Sequence, residues 1–228
     1  MAHQHQELLR LGVLHGCTTA SEGDMKDAAA RNAFLERQGV NHGRMLYLRQ
    51  THSENIIRVE NAAKSDALLA QPAPEADAWI LKASNCGSAV FTADCAPVLL
   101  WDSKAEIFGV VHAGWRGAAK LLAAKTAAQM LELGAQKPLG AFIGPRIQPC
   151  CFEVGEELLA QFPPAAFSRR DKRLFLDLGH ALRLQLEQAG LTRENITLHT
   201  DCTCCGKDYF SYRRNKGTGR LMTYIFKK

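Results

Sequence analysis

No apolar run in the sequence is as long as the roughly 20 residues of a membrane-spanning helix. The first ten residues, MAHQHQELLR, have neither a basic flank nor an apolar core, so no secretory leader is expected and the cytoplasm is the expected compartment. Internal repeats and low-complexity tracts are also missing, which removes solenoids and disordered arrays. Basic residues form no stripe; they cluster only at Arg169 to Arg173 and at Arg213 to Lys216, and the formal net charge is a mild +5. Nucleic acid and membrane are therefore not expected partners, whereas an anionic small substrate fits. Only one histidine pair, His3-Gln4-His5, has HxH spacing, and the other histidines are scattered, whereas ligation of several copper ions would use more than one such pair.

What is present is a chain of 228 residues, of which 46% are hydrophobic and 22% charged, the balance of a globular protein with a sizeable core. That length suits one large domain, residues 1–228. The eight cysteines, read in a reducing compartment, are thiols or metal ligands rather than disulfides.

The pattern of elements predicts strands at Leu11 to Thr19, Met45 to Leu48, Ile56 to Val59, Asp77 to Leu81 and Ser88 to Thr92. Helices are expected over Asp24 to Gly39 (with Asp24 as N-cap), Ala118 to Leu133, Glu153 to Phe162 and Leu174 to Ala189. Ala62 to Ala76, rich in alanine with prolines at 72 and 74, reads as a loop. Further strands are expected at Ala141 to Ile143, Ile196 to His199 and Leu221 to Phe226. Strands cluster first and then alternate with helices, which favours an α/β fold with a mixed sheet covered by helices.

Thr92 to Gly117 organises the rest. Pro97 to Trp101 and Ile107 to Val111 are apolar, β-prone runs separated by a turn at Asp102, Ser103 and Lys104. Paired as an antiparallel hairpin, they bring Cys95 and His112 together at the open end. A thiolate beside an imidazole is either half of a metal site or a nucleophile pair. His52, in Gln50-Thr51-His52-Ser53, completes a set of two histidines and one cysteine, the donor count of a catalytic zinc with one open position. The ligands come from separate loops, so spacing alone does not decide it. Asp94, next to Cys95, is a carboxylate in need of a partner, and orienting His112 or His52 would supply one.

Other motifs also have plain readings. In HAGWRG (112–117), glycines let the backbone approach a ligand, Arg116 adds a forked charge and the helix after Gly117 offers N–H groups to an anion; equally, Trp115 packs and His112 is simply hydrogen-bonded. Gly144 to Val154 reads as a proline-shaped crossover with two buried thiols, Cys150 and Cys151. Cys202-Thr203-Cys204-Cys205 contains a CxxC spacing without a matching second pair, a weak metal signal and a stronger one for redox-sensitive thiols. Arg213, Arg214 and Arg220 can contact phosphate or can be exposed hairpin charges. His3, His5, His15, His42, His180 and His199 read as solvated or structural.

Taken together, QTHS (50–53), TADCAPVLL (92–100), HAGWRG (112–117), IGPRIQPCCFEVG (143–155) and SYRR…GTGR (211–220) resemble the YfiH family over nearly the whole chain. Its members are also called laccase-domain or polyphenol oxidoreductase proteins, and peptidoglycan editing factor is one of them. The resemblance implies a single-domain α/β sandwich of cysteine-hydrolase-like type and a zinc or copper ion on His52, Cys95 and His112. It implies purine nucleoside phosphorolysis, adenosine deamination or phenol oxidation, and a link to editing of muropeptide precursors. Two positions depart from the family pattern: Ser53 stands where glycine is common, and Phe152 where tyrosine is common.

Four readings follow. The first is a zinc-dependent purine nucleoside enzyme that takes a nucleoside and phosphate. His52, Cys95 and His112 are ligands, Asp94 and Asp77 are candidates to orient ligands or shuttle a proton, and Gln50, Asp77, Arg116, Gly117 and Arg213 are candidates for binding substrate. The second is an amidase acting on an anionic cell-wall precursor, with Cys95 as nucleophile and His112 as base. A copper-dependent polyphenol oxidase and a non-catalytic nucleotide- or metal-binding module are the third and fourth. The sequence sets no oligomeric state.

Overall fold

The computed structural model describes residues 3–104 and 106–228. Met1 and Ala2, from the stretch read for a leader, lie outside the described residues. In chain order the elements are α1 (Gln6–Arg10), β1 (Leu14–Cys17), α2 (Ala28–Arg37), β2 (Met45–Leu46), β3 (Ile56–Val59), α3 (Ala62–Leu69) and β4 (Ala78–Leu81). There follow β5 (Cys86–Thr92), β6 (Ala96–Trp101), β7 (Phe108–Ala113), α4 (Trp115–Ala119), α5 (Leu122–Glu132) and β8 (Gly140–Ile143). The chain closes with β9 (Glu153–Val154), β10 (Phe167–Arg170), β11 (Arg173–Leu176), α6 (Leu178–Gln188), β12 (Ile196–Leu198) and β13 (Leu221–Lys227).

A six-stranded mixed sheet, ordered β12-β8-β6-β7-β4-β3, lies against a four-stranded one, ordered β1-β13-β5-β2. Alternation along the strands builds the layers. Val98 and Leu100 of β6 face a cluster with Ala123 and Met130 of α5 and Leu182 of α6. Their neighbours Leu99 and Trp101 face the other way, packing with Val90 of β5 and Ile225 of β13 between the sheets. On the far side of β13, Met222, Tyr224 and Phe226 pack with Phe34 and Leu35 of α2. The result is helix, sheet, sheet, helix: a mixed α/β sandwich as expected, with a second sheet that the strand pattern did not separate from the first. No helix among the described residues is long and apolar enough to cross a membrane.

Several expected elements move. The helix expected from Asp24 begins at Ala28, because Asp27 caps it by accepting from the Ala29 and Ala30 amides, while Asp24 accepts from the Lys26 and Arg220 amides. Ala62–Leu69 is a helix and not a loop: Asn61 caps it at the Lys64 amide, 3.0 Å away, and it ends before the two prolines. The single helix expected over Ala118 to Leu133 is α4 and α5, divided where Leu121 adopts φ +60°. Glu153 to Phe162 is no helix. Val154 pairs instead with Leu174 in a small antiparallel sheet, ordered β10-β11-β9, and only a short 3-10 turn follows at Glu156–Leu158. Leu174 therefore belongs to β11, and the helix expected there begins at Leu178, where Asp177 accepts from the His180 amide at 2.8 Å. Tertiary pairing overrides local preference in these short segments.

Candidate metal centre

The hairpin forms as the sequence predicts, with β6 and β7 antiparallel and Pro97 opposite His112. Ala93, Asp94 and Cys95 carry the chain from β5 in one sheet to β6 in the other. Asp94 turns that corner at φ +86°, a backbone state that is costly for a residue with a Cβ. Its carboxylate compensates: it accepts from Thr203 Oγ1 at 2.6 Å, Ser211 Oγ at 3.0 Å and the Arg213 amide at 2.6 Å. The corner aims Cys95 at the end of the hairpin, where its Sγ lies 3.8 Å from His52 Nε2. His52 is also in the left-handed region, at φ +57°, and its ring stands edge-on to that of His112 with centroids 4.9 Å apart.

His112 is held from behind. Its Nδ1 donates to Asp77 Oδ1 at 2.7 Å, and its amide donates to the Asp77 carbonyl at the same distance. Asp77 Oδ2 meanwhile accepts from the amides of Thr51 and Ser53 and from Ser53 Oγ, at 3.2, 2.6 and 2.8 Å. With Nδ1 engaged, Nε2 of His112 is the nitrogen left for Cys95 and His52.

The donor atoms of His52, Cys95 and His112 all lie within 4.8 Å of one another. Burial opposes ionisation of Cys95, yet His112 and then His52 hold its thiol down at about 6. Burial likewise opposes charge on His112, but Cys95 and Asp77 raise it to about 9. Without a metal, then, the pair is a thiolate beside an imidazolium; a divalent cation takes the proton's place. Gly114 leaves the space open. A Cβ there would come 2.9 Å from Cys95 Sγ and 3.1 Å from His52 Cδ2. One thiolate and two imidazoles around such a gap fit a single borderline-soft ion and are compatible with a metal.

A family model described as multi-copper polyphenol oxidoreductase laccase matches residues 17–228. The chain belongs to this family, the YfiH or laccase-domain family. It is 37% identical over 190 residues to a purine nucleoside phosphorylase of Clostridium acetobutylicum, covering 80% of this chain and 76% of that one. It is 31% identical over 225 residues to an adenosine deaminase of an unknown prokaryotic organism, covering 93% and 86%. The fold matches the crystal structure of YlmD from Geobacillus stearothermophilus with a TM-score of 0.83, at 28% identity over 95% of this chain and 92% of that one. It also matches the hypothetical protein YfiH from Bacillus licheniformis with a TM-score of 0.85, at 24% identity over 98% and 95%.

In this member of the YfiH family the three donors open into a cavity of about 780 Å³. Phe91, Trp115, Phe152 and Tyr212 give it flat apolar walls, and Arg49, Arg116, Arg213 and Arg220 give it positive charge. Gln50 lines it too, with its amide pinned to Phe91 by bonds of 2.7 and 2.8 Å. Arg116 lies over the Trp115 ring, 4.3 Å from its centroid.

Two sequence-derived candidates for substrate binding stand elsewhere. Asp77 is fully buried, with both oxygens committed to His112 and to residues 51–53. Gly117 is buried inside α4, where an added Cβ would meet the His112 carbonyl and Leu122. Asp94 lines the cavity but orients neither histidine; its carboxylate holds the 203–213 segment. The orienting carboxylate is Asp77, the other of the two candidates for that role, just before β4. Cys150 is exposed and Cys151 half-buried, against the expectation of two buried thiols. His3 and His199, read as solvated or structural, lie with Asp201 in a further group of potential donors.

Proposed function

We propose that the chain is a zinc-dependent purine nucleoside enzyme that cleaves nucleosides with phosphate and deaminates adenosine. The observation that carries this reading is the convergence of His52, Cys95 and His112 on an aromatic, positively charged cavity. The names of its relatives support it: purine nucleoside phosphorylase and adenosine deaminase. Aromatic faces at Phe91, Trp115 and Phe152 suit the flat apolar faces of a purine. Arg116 suits phosphate, with a forked donor set beside those walls. In phosphorolysis a phosphate oxygen bonds to ribose C1′ as the bond from C1′ to the base nitrogen breaks, and the base leaves with the electron pair. In deamination water adds at purine C6 and ammonia departs.

His52, Cys95 and His112 would hold the ion, and zinc bound there would supply a Lewis acid that makes water a better nucleophile. Asp77 keeps the His112 ring aimed and its proton on Nδ1. Gln50 fixes the loop that carries His52 against β5. Three donors that include a thiolate serve one ion, not the several coppers of a multicopper oxidase, which places phenol oxidation below the nucleoside reading.

The test is incubation of zinc-replete protein with adenosine and with inosine, each with and without phosphate. Hypoxanthine or adenine together with ribose 1-phosphate, and inosine from adenosine, are the expected products. No turnover of either nucleoside, with no metal co-purifying, would sink the reading.

One observation favours a second reading: Cys95 already forms a thiolate pair with His112. Such a pair can cleave an amide in a cell-wall precursor. Activity that survives complete metal removal and leaves an acyl group on Cys95 would favour it.

A further inference from the structure

Four thiols outside the nucleoside site converge from two segments. The sulfurs of Cys150, Cys151, Cys202 and Cys205 lie within 4.8 Å of one another. Cys150 Sγ is 3.7 Å from Cys151 Sγ and 3.7 Å from Cys205 Sγ. All four are free thiols. Zinc–thiolate bonds of about 2.3 Å, arranged tetrahedrally, place neighbouring sulfurs about 3.8 Å apart. The two 3.7 Å separations match that edge. The CxxC spacing of Cys202 and Cys205 thus finds the second pair that the sequence left without a candidate.

The surroundings are built for this. Arg146 and Cys202 form a parallel bridge, and the Thr203 amide donates to the Arg146 carbonyl at 3.0 Å, so the two segments are tied before any ion arrives. The Gln148 amide points at Cys202 Sγ from 3.4 Å, as a donor to thiolate charge. Four thiolates on a divalent ion leave an excess of negative charge. Guanidiniums reach the backbone of both segments: Arg170 at the Pro149 carbonyl, Arg213 at that of Cys151 and Arg214 at that of Cys204.

We infer that Cys150, Cys151, Cys202 and Cys205 hold a second metal ion, a zinc-class divalent cation in tetrahedral thiolate coordination. Each metal–sulfur bond forms as the thiol releases its proton to solvent, and no oxidant is involved. The ion is structural, because four protein sulfurs leave no position open for substrate. Its place explains its use. Ile147 and Phe152 on one segment, and Tyr212 and Arg213 beyond the other, line the nucleoside cavity. Thr203, between the ligands, holds Asp94 at the corner that aims Cys95. The staple therefore fixes one wall of the cavity without touching the first ion.

The test counts metals in protein purified under reducing conditions. Wild type should carry two equivalents by elemental analysis. His112→Ala should keep one, and with cobalt(II) in place of zinc it should show intense sulfur-to-metal charge-transfer bands and the d–d bands of a tetrahedral ion. Adding Cys202→Ser or Cys150→Ser to that background should remove both the equivalent and the bands. If His112→Ala does not fold, Cys95→Ser serves as the background. A background variant that folds yet binds no metal overturns the inference. So does a cobalt spectrum without sulfur bands, or a disulfide joining the two segments under the same conditions.

Discussion

Asp77 positions two of the three donors at once: Oδ1 accepts from His112 Nδ1 at 2.7 Å, and Oδ2 accepts from the amides of Thr51 and Ser53 on either side of His52. One buried carboxylate thus aims one histidine directly and fixes the turn that holds the other. Asp77→Asn keeps the volume but turns an NH₂ group toward donors that need an acceptor. Zinc affinity should fall by about 10–100-fold, the usual cost of losing an orienting partner, and the melting temperature should fall with it. Competition with a chelator and a thermal melt measure the two effects. Unchanged zinc affinity in a folded Asp77→Asn protein would separate Asp77 from the centre.

Removing any one donor should empty the site. His52→Ala, Cys95→Ala and His112→Ala should each lose this ion and nearly all activity yet remain folded, and double variants should be no worse than single ones. Gly114→Ala is the sharper variant, because it deletes no donor. Its methyl would stand 2.9 Å from Cys95 Sγ, so metal should be lost from a protein that still has all three ligands. Elemental analysis beside circular dichroism decides; full occupancy in Gly114→Ala would mean the donors close elsewhere.

The centre was legible in the sequence where the pattern was local. The hairpin runs Pro97 to Trp101 and Ile107 to Val111 are dense in β-prone residues, and pairing them dictates that Cys95 and His112 meet. The orienting carboxylate was legible only as a choice between Asp94 and Asp77. Asp94 looked right because it adjoins Cys95, but it turns a corner in the left-handed region, and its carboxylate is taken up by residues 203–213 while Cys95 Sγ meets His52. Asp77 reaches His112 only because β4 pairs with β7, a contact between distant segments. The same holds for Val154 and Leu174, whose pairing replaces two expected helical turns, and for Cys150, which meets Cys205 across fifty-five residues.

Metal removal should expose a single reactive thiol in the cavity. His112 and His52 hold Cys95 at about 6 against burial, so at pH 7 most of it is thiolate in metal-free protein. Cys17, also buried, is pushed up to about 12 by the loss of water and should stay inert. Iodoacetamide on chelator-treated protein should label Cys95 well before Cys17, more slowly as pH falls below about 6, and zinc should protect it. Peptide mapping reads the sites. Equal labelling with and without zinc would argue against Cys95 as a ligand.

Variants of Arg116 should separate the two proposed nucleoside reactions. Among the arginines lining the cavity, Arg49 pairs with Glu75, Arg213 donates to the carbonyls of Cys151 and Glu153, and Arg220 donates to those of Thr218 and Gly219. Among the described residues Arg116 has no such partner and only rests on Trp115, so it has its donors to offer an anion. A hydrogen bond to a charged group contributes about 1.5–3 kcal/mol, which is roughly 10–100-fold in affinity. Arg116→Ala should raise KM for phosphate by about that factor, and Arg116→Lys should recover part of it, since a point charge replaces the fork. Adenosine deamination consumes water and needs no phosphate, so its kcat/KM should change little in the same variants. Steady-state assays of both reactions on one preparation make the comparison. An equal loss in both would place Arg116 on the nucleoside, and no loss in either would move the phosphate site to Lys26, the other cation of the lining.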